Sequence, residues 1–421
     1  MRALLIAGLL GFVLFAPPQV GMANNGDFGK LSLRYKLWAP HELEFVHAAD
    51  TYQIRDDKQW DSGFRSTEDI FLTIATKLNP SAKTFDMRWI GLLHGAVYLG
   101  AFLLLMPLLK SWWRFGLVAL FFADVWHLAY FESFYMDTPA QLGLFLAAAA
   151  ALRRNWLLFL VGALLLVFSK AQHYPLAIPF AALLAWRGGV RMWLPAAGLV
   201  AGAAYAFAHI PDDYMPITSF NMVFYKLLPI SPQPDKDIYE LGFNESFKKY
   251  IGTHTYSKGN LMDDLQFRKE VGWRAPTSKV AKFMLTHPRM IWEITIDHLG
   301  QAGYTRVENL GNYDPSSGHP AGAHSYTMSA WSSLRRFLYG DRGLLYLLVW
   351  VALLIALIAR AGAYRAEAIA LAAASIIAYG VGGLGDGLEV TRHLYLFNIM
   401  VDMALAAVIV QYAPTSLRPP A

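Results

Sequence analysis

The chain has 421 residues, 55% of them hydrophobic and only 16% charged, and its mean hydropathy is +0.32. That is too little polar surface to coat a soluble globule of this length, so lipid is the expected solvent for much of the chain. The formal net charge of +5 is dispersed, with no basic tract of the kind that grips nucleic acid, and the absence of cysteine excludes disulfides, thiolate nucleophiles and thiolate metal sites.

The first apolar run, residues 4–15, follows Arg2 and ends at Pro17-Pro18. It is short against the roughly 20 residues of a full crossing. Gly21-Met22-Ala23 resembles a cleavage site, so residues 1–23 read either as a first transmembrane helix or as a signal-like segment. In both readings Asn24 emerges on the outer side. Residues 24–86 are a polar first outer loop, with helical character at 41–50 and a cap at Thr67-Glu68-Asp69 ahead of 70–78. Two short helices along the membrane surface are expected there.

Six spans follow in a block over 87–210, at 87–109, 115–130, 139–152, 156–168, 174–186 and 192–210. A second polar region, 211–340, precedes a C-terminal block over 341–411 with helices at 343–358, 367–381 and 393–410, and residues 412–421 form a tail. The expected fold is an all-α polytopic membrane protein of about ten transmembrane helices. Its distinguishing features are the long first outer loop and a large outer segment between helices 7 and 8.

Charge sets the sidedness. The links Lys110-Ser111-Trp112-Trp113-Arg114, Arg153-Arg154, Arg187 to Arg191 and Arg360 to Arg365 are short and basic, which places them and the tail in the cytoplasm. The intervening connections carry Asp27, Glu132, Asp137, the 211–340 region, Asp386 and Glu389. Acids, histidines and long loops thus share the outer face of what reads as a bacterial cytoplasmic membrane.

Four outer segments are candidates for one site. In Asn24-Asn25-Gly26-Asp27-Phe28-Gly29-Lys30 the aspartate is a candidate general base, and the plainer reading is a turn at a helix end. In Glu132-Ser133-Phe134-Tyr135-Met136-Asp137-Thr138-Pro139, Pro139 suits a first helical turn and capping alone would explain Asp137, whereas Glu132 calls for a further role. Lys170, in Ser169-Lys170-Ala171-Gln172-His173-Tyr174, opposes the sidedness trend; a lipid-linked phosphate would account for it, as would snorkelling. The stretch from Gly382 to His393 combines glycines that let backbone approach a ligand with Arg392, another outer cation suited to phosphate.

Asp124, His127, Asn398 and Asp402 fall inside spans, where polar groups fasten helices or relay protons. No zinc spacing is present: His41 and His47 do not fit HExxH, and His319 and His324 lack neighbouring ligands. Asp235-Lys236-Asp237 has the DxD form of nucleotide-sugar enzymes but falls on the face without nucleotide sugars, and Asn244-Glu245-Ser246 is a weak sequon.

With these motifs in order, the chain resembles the GT-C superfamily of integral-membrane glycosyltransferases, particularly bacterial hexose transferases of surface-glycan biosynthesis. The resemblance rests on NNGDF at 24–28, ESFYMD at 132–137, SKAQ at 169–172 and GDGLEVTRHLYLFN at 385–398. It implies a sugar donor on polyprenyl phosphate, a glycan or lipid-linked acceptor, transfer of one sugar on the outer face with inversion, and no essential metal or other cofactor. It also implies a catalytic acid in the first outer loop, where Asp27 stands. The paired acid of some relatives is missing, since Phe28 follows, and Glu132 or Asp386 is the candidate second carboxylate. Lys170 and Arg392 are expected to hold the donor phosphate, and Asn25, Asp137, Gln172, His173, Glu389 and His393 to complete the substrate-binding set. Two rivals stand beside this reading: a polysaccharide polymerase or ligase, and a flippase or ion-coupled transporter using Asp124 and Asp402.

Overall fold

Backbone polar groups in lipid must be paired within their own segment, which favours helix wherever this chain is apolar. The computed structural model describes residues 1–40, 45–57, 60–211 and 214–412. Its apolar helices are Arg2–Phe15, Arg88–Leu105, Trp112–Phe122, Asp137–Leu152, Trp156–Val167, Ala177–Gly188, Trp193–Ala208, Gly343–Arg360, Arg365–Leu384 and Tyr395–Tyr412. They carry bare apolar side chains on the outside, Leu157, Leu194 and Ile355 among them, as a lipid-facing belt requires. This is a membrane protein.

Length separates the helices further. Four stretches are long and apolar enough to cross, Arg88–Leu105, Val190–Ala208, Gly343–Arg360 and Gly362–Leu384. A fifth results if Trp112–Phe122 and Val125–Glu132, bent by 49°, count as one span. The remaining apolar helices fall short of a full crossing, so helix length alone does not establish about ten spans.

The bend has a local cause. Asp124 takes extended geometry, and its Oδ1 accepts the Trp126 N–H at 2.9 Å, starting a new helix where an unbroken span over 115–130 is expected. Its carboxylate also accepts the Ser332 N–H at 2.9 Å and hydroxyl at 2.8 Å. Asp402 is held by the Arg335 guanidinium and by Trp331 Nε1 at 2.9 Å. Both intramembrane acids therefore fasten the Ala330–Tyr339 helix to the bundle.

The first loop departs most from expectation. It is not all-α: β1 (Leu37–Trp38), β2 (Thr51–Ile54) and β3 (Thr84–Asp86) form an antiparallel sheet in that order, with Thr51 opposite Asp86. Of the helix expected at 41–50, residues 41–44 lie outside the described residues and 45–50 are turn and irregular chain. The helix Glu68–Leu78 does form, but Thr67 makes no side-chain cap; its hydroxyl donates to Leu165 O at 2.7 Å instead.

The second polar region folds on a core of its own, where Phe220, Phe224, Phe243, Phe247 and Phe267 meet. A π-helical turn, Asn221–Leu227, and the helix Pro288–Gly303 set this lobe against the end of the helix Arg365–Leu384 and the loop after it. His298 Nδ1, for example, contacts Gly383 O at 2.5 Å. The lobe thereby faces the end of the bundle where residues 27, 137, 170 and 392 gather.

Candidate functional site

The chain leaves its first helix pinned to a distant loop: Gly21 N–H donates to Asn312 O at 3.0 Å and Ala23 N–H to Gly311 O at 2.9 Å. The next residues turn sharply. Asn24 Oδ1 accepts the N–H groups of Gly26 (2.8 Å) and Phe28 (3.0 Å), and Gly26 sits at φ +99°, a region that suits glycine. Phe28 anchors the turn edge-on against Phe134 and Tyr135. The Tyr135 hydroxyl donates to Ala23 O at 2.8 Å and accepts the Asn25 N–H at 3.0 Å. The turn reading is correct, and the turn aims Asp27 inward.

Asp27 Oδ1 meets Lys30 Nζ at 2.5 Å and Oδ2 meets Arg392 Nη1 at 2.8 Å. Burial would raise its pKa, but Lys30, Arg392 and Lys170 together hold the carboxyl well below the usual range. Arg392 is itself buried. It donates from Nη2 and Nε to Glu389 Oε2 (2.7 and 3.0 Å), lies 3.6 Å from Asp137 and stands over the Tyr135 ring. Glu389 adopts a left-handed φ of +50° and accepts Asn25 Nδ2 at 2.6 Å, so a strained residue ties residues 25 and 392 together. Lys170 Nζ lies 3.3 Å from both Asp137 oxygens. Burial lowers its pKa against the pull of Asp137 and Asp27, with Arg392 adding to the lowering.

Three cations, Lys30, Lys170 and Arg392, thus interleave with three carboxylates, Asp27, Asp137 and Glu389. Asp137 is corrected from cap to ligand of this network: it lies inside the helix and makes no cap. Asp386 stands at the lobe side, its Oδ1 accepting Leu388 N–H at 3.0 Å and Asn221 Nδ2 at 3.1 Å. Burial pushes its pKa up to about 6, against those hydrogen bonds and Arg392.

The other expected residues divide. Gln172 Nε2 donates to His393 O at 2.8 Å, fastening the Lys170 segment to the Arg392 segment. His173 meets the Ser169 hydroxyl at 2.8 Å, and burial pushes its pKa down to about 3 against the pull of Asp137. Burial and the neighbouring Arg392 likewise hold His393 well below the ordinary histidine value. Glu132 keeps different company. Its side chain packs on Gly91, and its charged neighbours are Asp50, Asp86 and Arg88, none of the Asp27 group. The glycines of the 382–393 stretch are close to protein rather than open to a ligand: a Cβ on Gly382 would lie 2.5 Å from His393 O, and one on Gly387 2.4 Å from Lys226 Cγ.

Sequence reasoning missed Lys30, Tyr135, Tyr214, Asn221 and Tyr256. Lys30 Nζ lies 5.1 Å from the Phe64 ring and 5.8 Å from that of Tyr214. The Tyr214 and Tyr256 hydroxyls both feel Asp27 and Asp386, and burial raises both pKa values. Lys30 had a signal, standing three residues past Asp27 in the same short segment. An apolar cavity of about 410 Å³ lies elsewhere, among Leu109, Phe159, Phe180 and Tyr364, and none of the residues above lines it. Chemically, the site offers a carboxylate between fixed cations, which suits an anionic group beside a hydroxyl nucleophile.

Residues 1–419 match the family described as YfdI N-terminal transmembrane domain. No curated protein and no solved structure matches the chain.

Proposed function

Because the chain belongs to the YfdI N-terminal transmembrane domain family, a family of membrane proteins, we propose that it is a GT-C-type glycosyltransferase. In this reading it has about ten membrane helices, the shorter ones completed by adjoining turns. It moves one sugar, a hexose, from polyprenyl phosphate to a glycan or lipid-linked acceptor on the outer face of the cytoplasmic membrane. The observation that carries this is the Asp27–Arg392 contact at 2.8 Å, with Lys170 on the far side of Asp137. Side chains from three distant segments meet there, and in this reading they serve as a base and two phosphate-binding cations.

The step is a direct displacement. The acceptor oxygen bonds to the anomeric carbon as the bond from that carbon to the phosphate oxygen breaks, inverting configuration. The electron pair leaves with polyprenyl phosphate, stabilised by Arg392 and Lys170. The acceptor proton passes to Asp27. The scheme draws its positive charge from the chain and uses no metal ion.

The raised pKa of Asp386 favours one specific alternative, in which Asp386 is the base and Asp27 positions Arg392. Purified protein given labelled polyprenyl-phosphate sugars decides. Consumption of one donor with release of polyprenyl phosphate is expected, and Asp27→Asn should slow transfer about 10²–10⁴-fold while Asp386→Asn does less. Reversal of that order moves the base to Asp386, and no consumption of any donor ends the proposal. A single-sugar product separates this from a polymerase or ligase. The hydrogen bonds of Asp124 and Asp402 to Ser332 and Trp331 support a fastening role for both acids over the ion relay a transporter would ask of them.

A further inference from the structure

The DxD-like Asp235-Lys236-Asp237 has no part in the transfer scheme, yet one of its acids faces a histidine. The geometry points to Asp237, Glu240 and His287 as a binding site for a divalent transition metal of the zinc class. Their ligand atoms lie within 4.8 Å of one another, although His287 is far from the acids in sequence. Asp237 and Glu240, three apart in the helix Pro234–Glu240, share a face.

Two of the three ligands are oriented by their neighbours. His287 Nδ1 lies 2.8 Å from Phe283 O, which only accepts, so Nδ1 carries the proton and Nε2 keeps its lone pair. The Phe283 ring stacks on the imidazole at 4.0 Å and fixes its plane. His287 occupies the N-cap position of the helix that follows but makes no cap. Its Nε2 stands 3.9 Å from Asp237 Oδ1, too far for a hydrogen bond and close to the spacing of two ligands on one ion. The buried Asp237 uses its other oxygen to accept the Ser231 hydroxyl at 2.5 Å, a supporting bond of the kind metal carboxylates have. One imidazole with two carboxylates favours zinc over calcium or magnesium, which prefer oxygen alone. Exposed Glu240 gives the ion a way in.

The test uses full-length, untagged protein in detergent, stripped with a chelator and dialysed against Zn²⁺, Mg²⁺ or Ca²⁺. About one equivalent of zinc should bind, unaffected by excess magnesium or calcium, and Co²⁺ should give the visible absorption of a low-coordinate site. His287→Ala and Glu240→Gln should each weaken zinc binding at least tenfold, and Ser231→Ala by about 10–100-fold. Glu240→Gln alters an exposed side chain, so it decides the matter should His287→Ala not fold. Absence of saturable zinc binding, or full stoichiometry and affinity in Glu240→Gln, overturns the site. The readout is bound metal, and no residue in it serves the transfer proposal, so the two stand or fall separately.

Discussion

Asp27 at rest is a poor proton acceptor, because Lys30, Arg392 and Lys170 hold it ionised against its burial. A base works best with a pKa nearer the operating pH. Under the proposed mechanism a bound donor phosphate draws Arg392 and Lys170 toward itself, and Asp27 gains basicity as the acceptor arrives. Lys30→Ala removes one of the restraining charges. It should raise the Asp27 pKa and move the acid limb of kcat/KM to higher pH; an unmoved limb would separate Lys30 from the titrating base. Asp386 supplies an independent pH test. Folding raises its pKa from the ordinary 3.8 to about 6, so the folded state binds that proton more tightly. The associated stability is complete below about pH 4 and lost as pH rises through about 6. Asp386→Asn should flatten that fall in thermal unfolding measured in detergent, and at pH 7 leave the variant more stable by up to about 3 kcal/mol.

Elements assemble these residues through joints that are small and exact in chemistry. Tyr135 bridges two of them, its hydroxyl bonded to both Ala23 O and the Asn25 N–H. Tyr135→Phe keeps the ring beneath Arg392 and against Phe28 but strands a buried carbonyl and amide. A loss of about 1–3 kcal/mol is expected, together with a higher KM for donor as the Asp27 turn loosens. A KM equal to wild type would show that Phe28 alone holds the turn. Much at this scale was legible in the chain. Apolar runs become helices because lipid leaves the backbone no other partner, and Lys170 and Arg392 stood out as cations on the acidic side. Their partners were not legible. Asp137 beside Pro139 has the look of a cap, and only the fold shows it between two cations. The break at Asp124 depends on Ser332, far along the chain, and strands of two to four residues are too short to show alternation. The core of the second polar region is spread over short helices, each with few apolar positions, so its sequence registers only as polar.

At the scale of the whole molecule, two sets of charges occupy opposite roles. Arg153, Arg154, Arg187 and Arg360 lie on short links or at the helix ends beside them, while the acid-and-cation cluster sits among long loops with the lobe against it. Internal pairs hold that arrangement: Arg335 and Asp402 are both buried, with Asn398 and Tyr346 sharing the guanidinium. Removing one partner there strands a charge, so Asp402→Asn should cost about 3–5 kcal/mol in thermal or denaturant unfolding, without a specific effect on donor KM. The proposed sidedness has its own test, which the cysteine-free chain makes clean. Ser316 is exposed in the long loop that pins residues 21–23, and Arg154 is exposed on a basic link. In whole cells with the outer barrier opened, a membrane-impermeant maleimide should label Ser316→Cys and spare Arg154→Cys, and lysis should expose both. Labelling of Arg154→Cys alone before lysis would invert the topology. The cation cluster would then face the cytoplasm, where a donor presented on the outer leaflet cannot reach it.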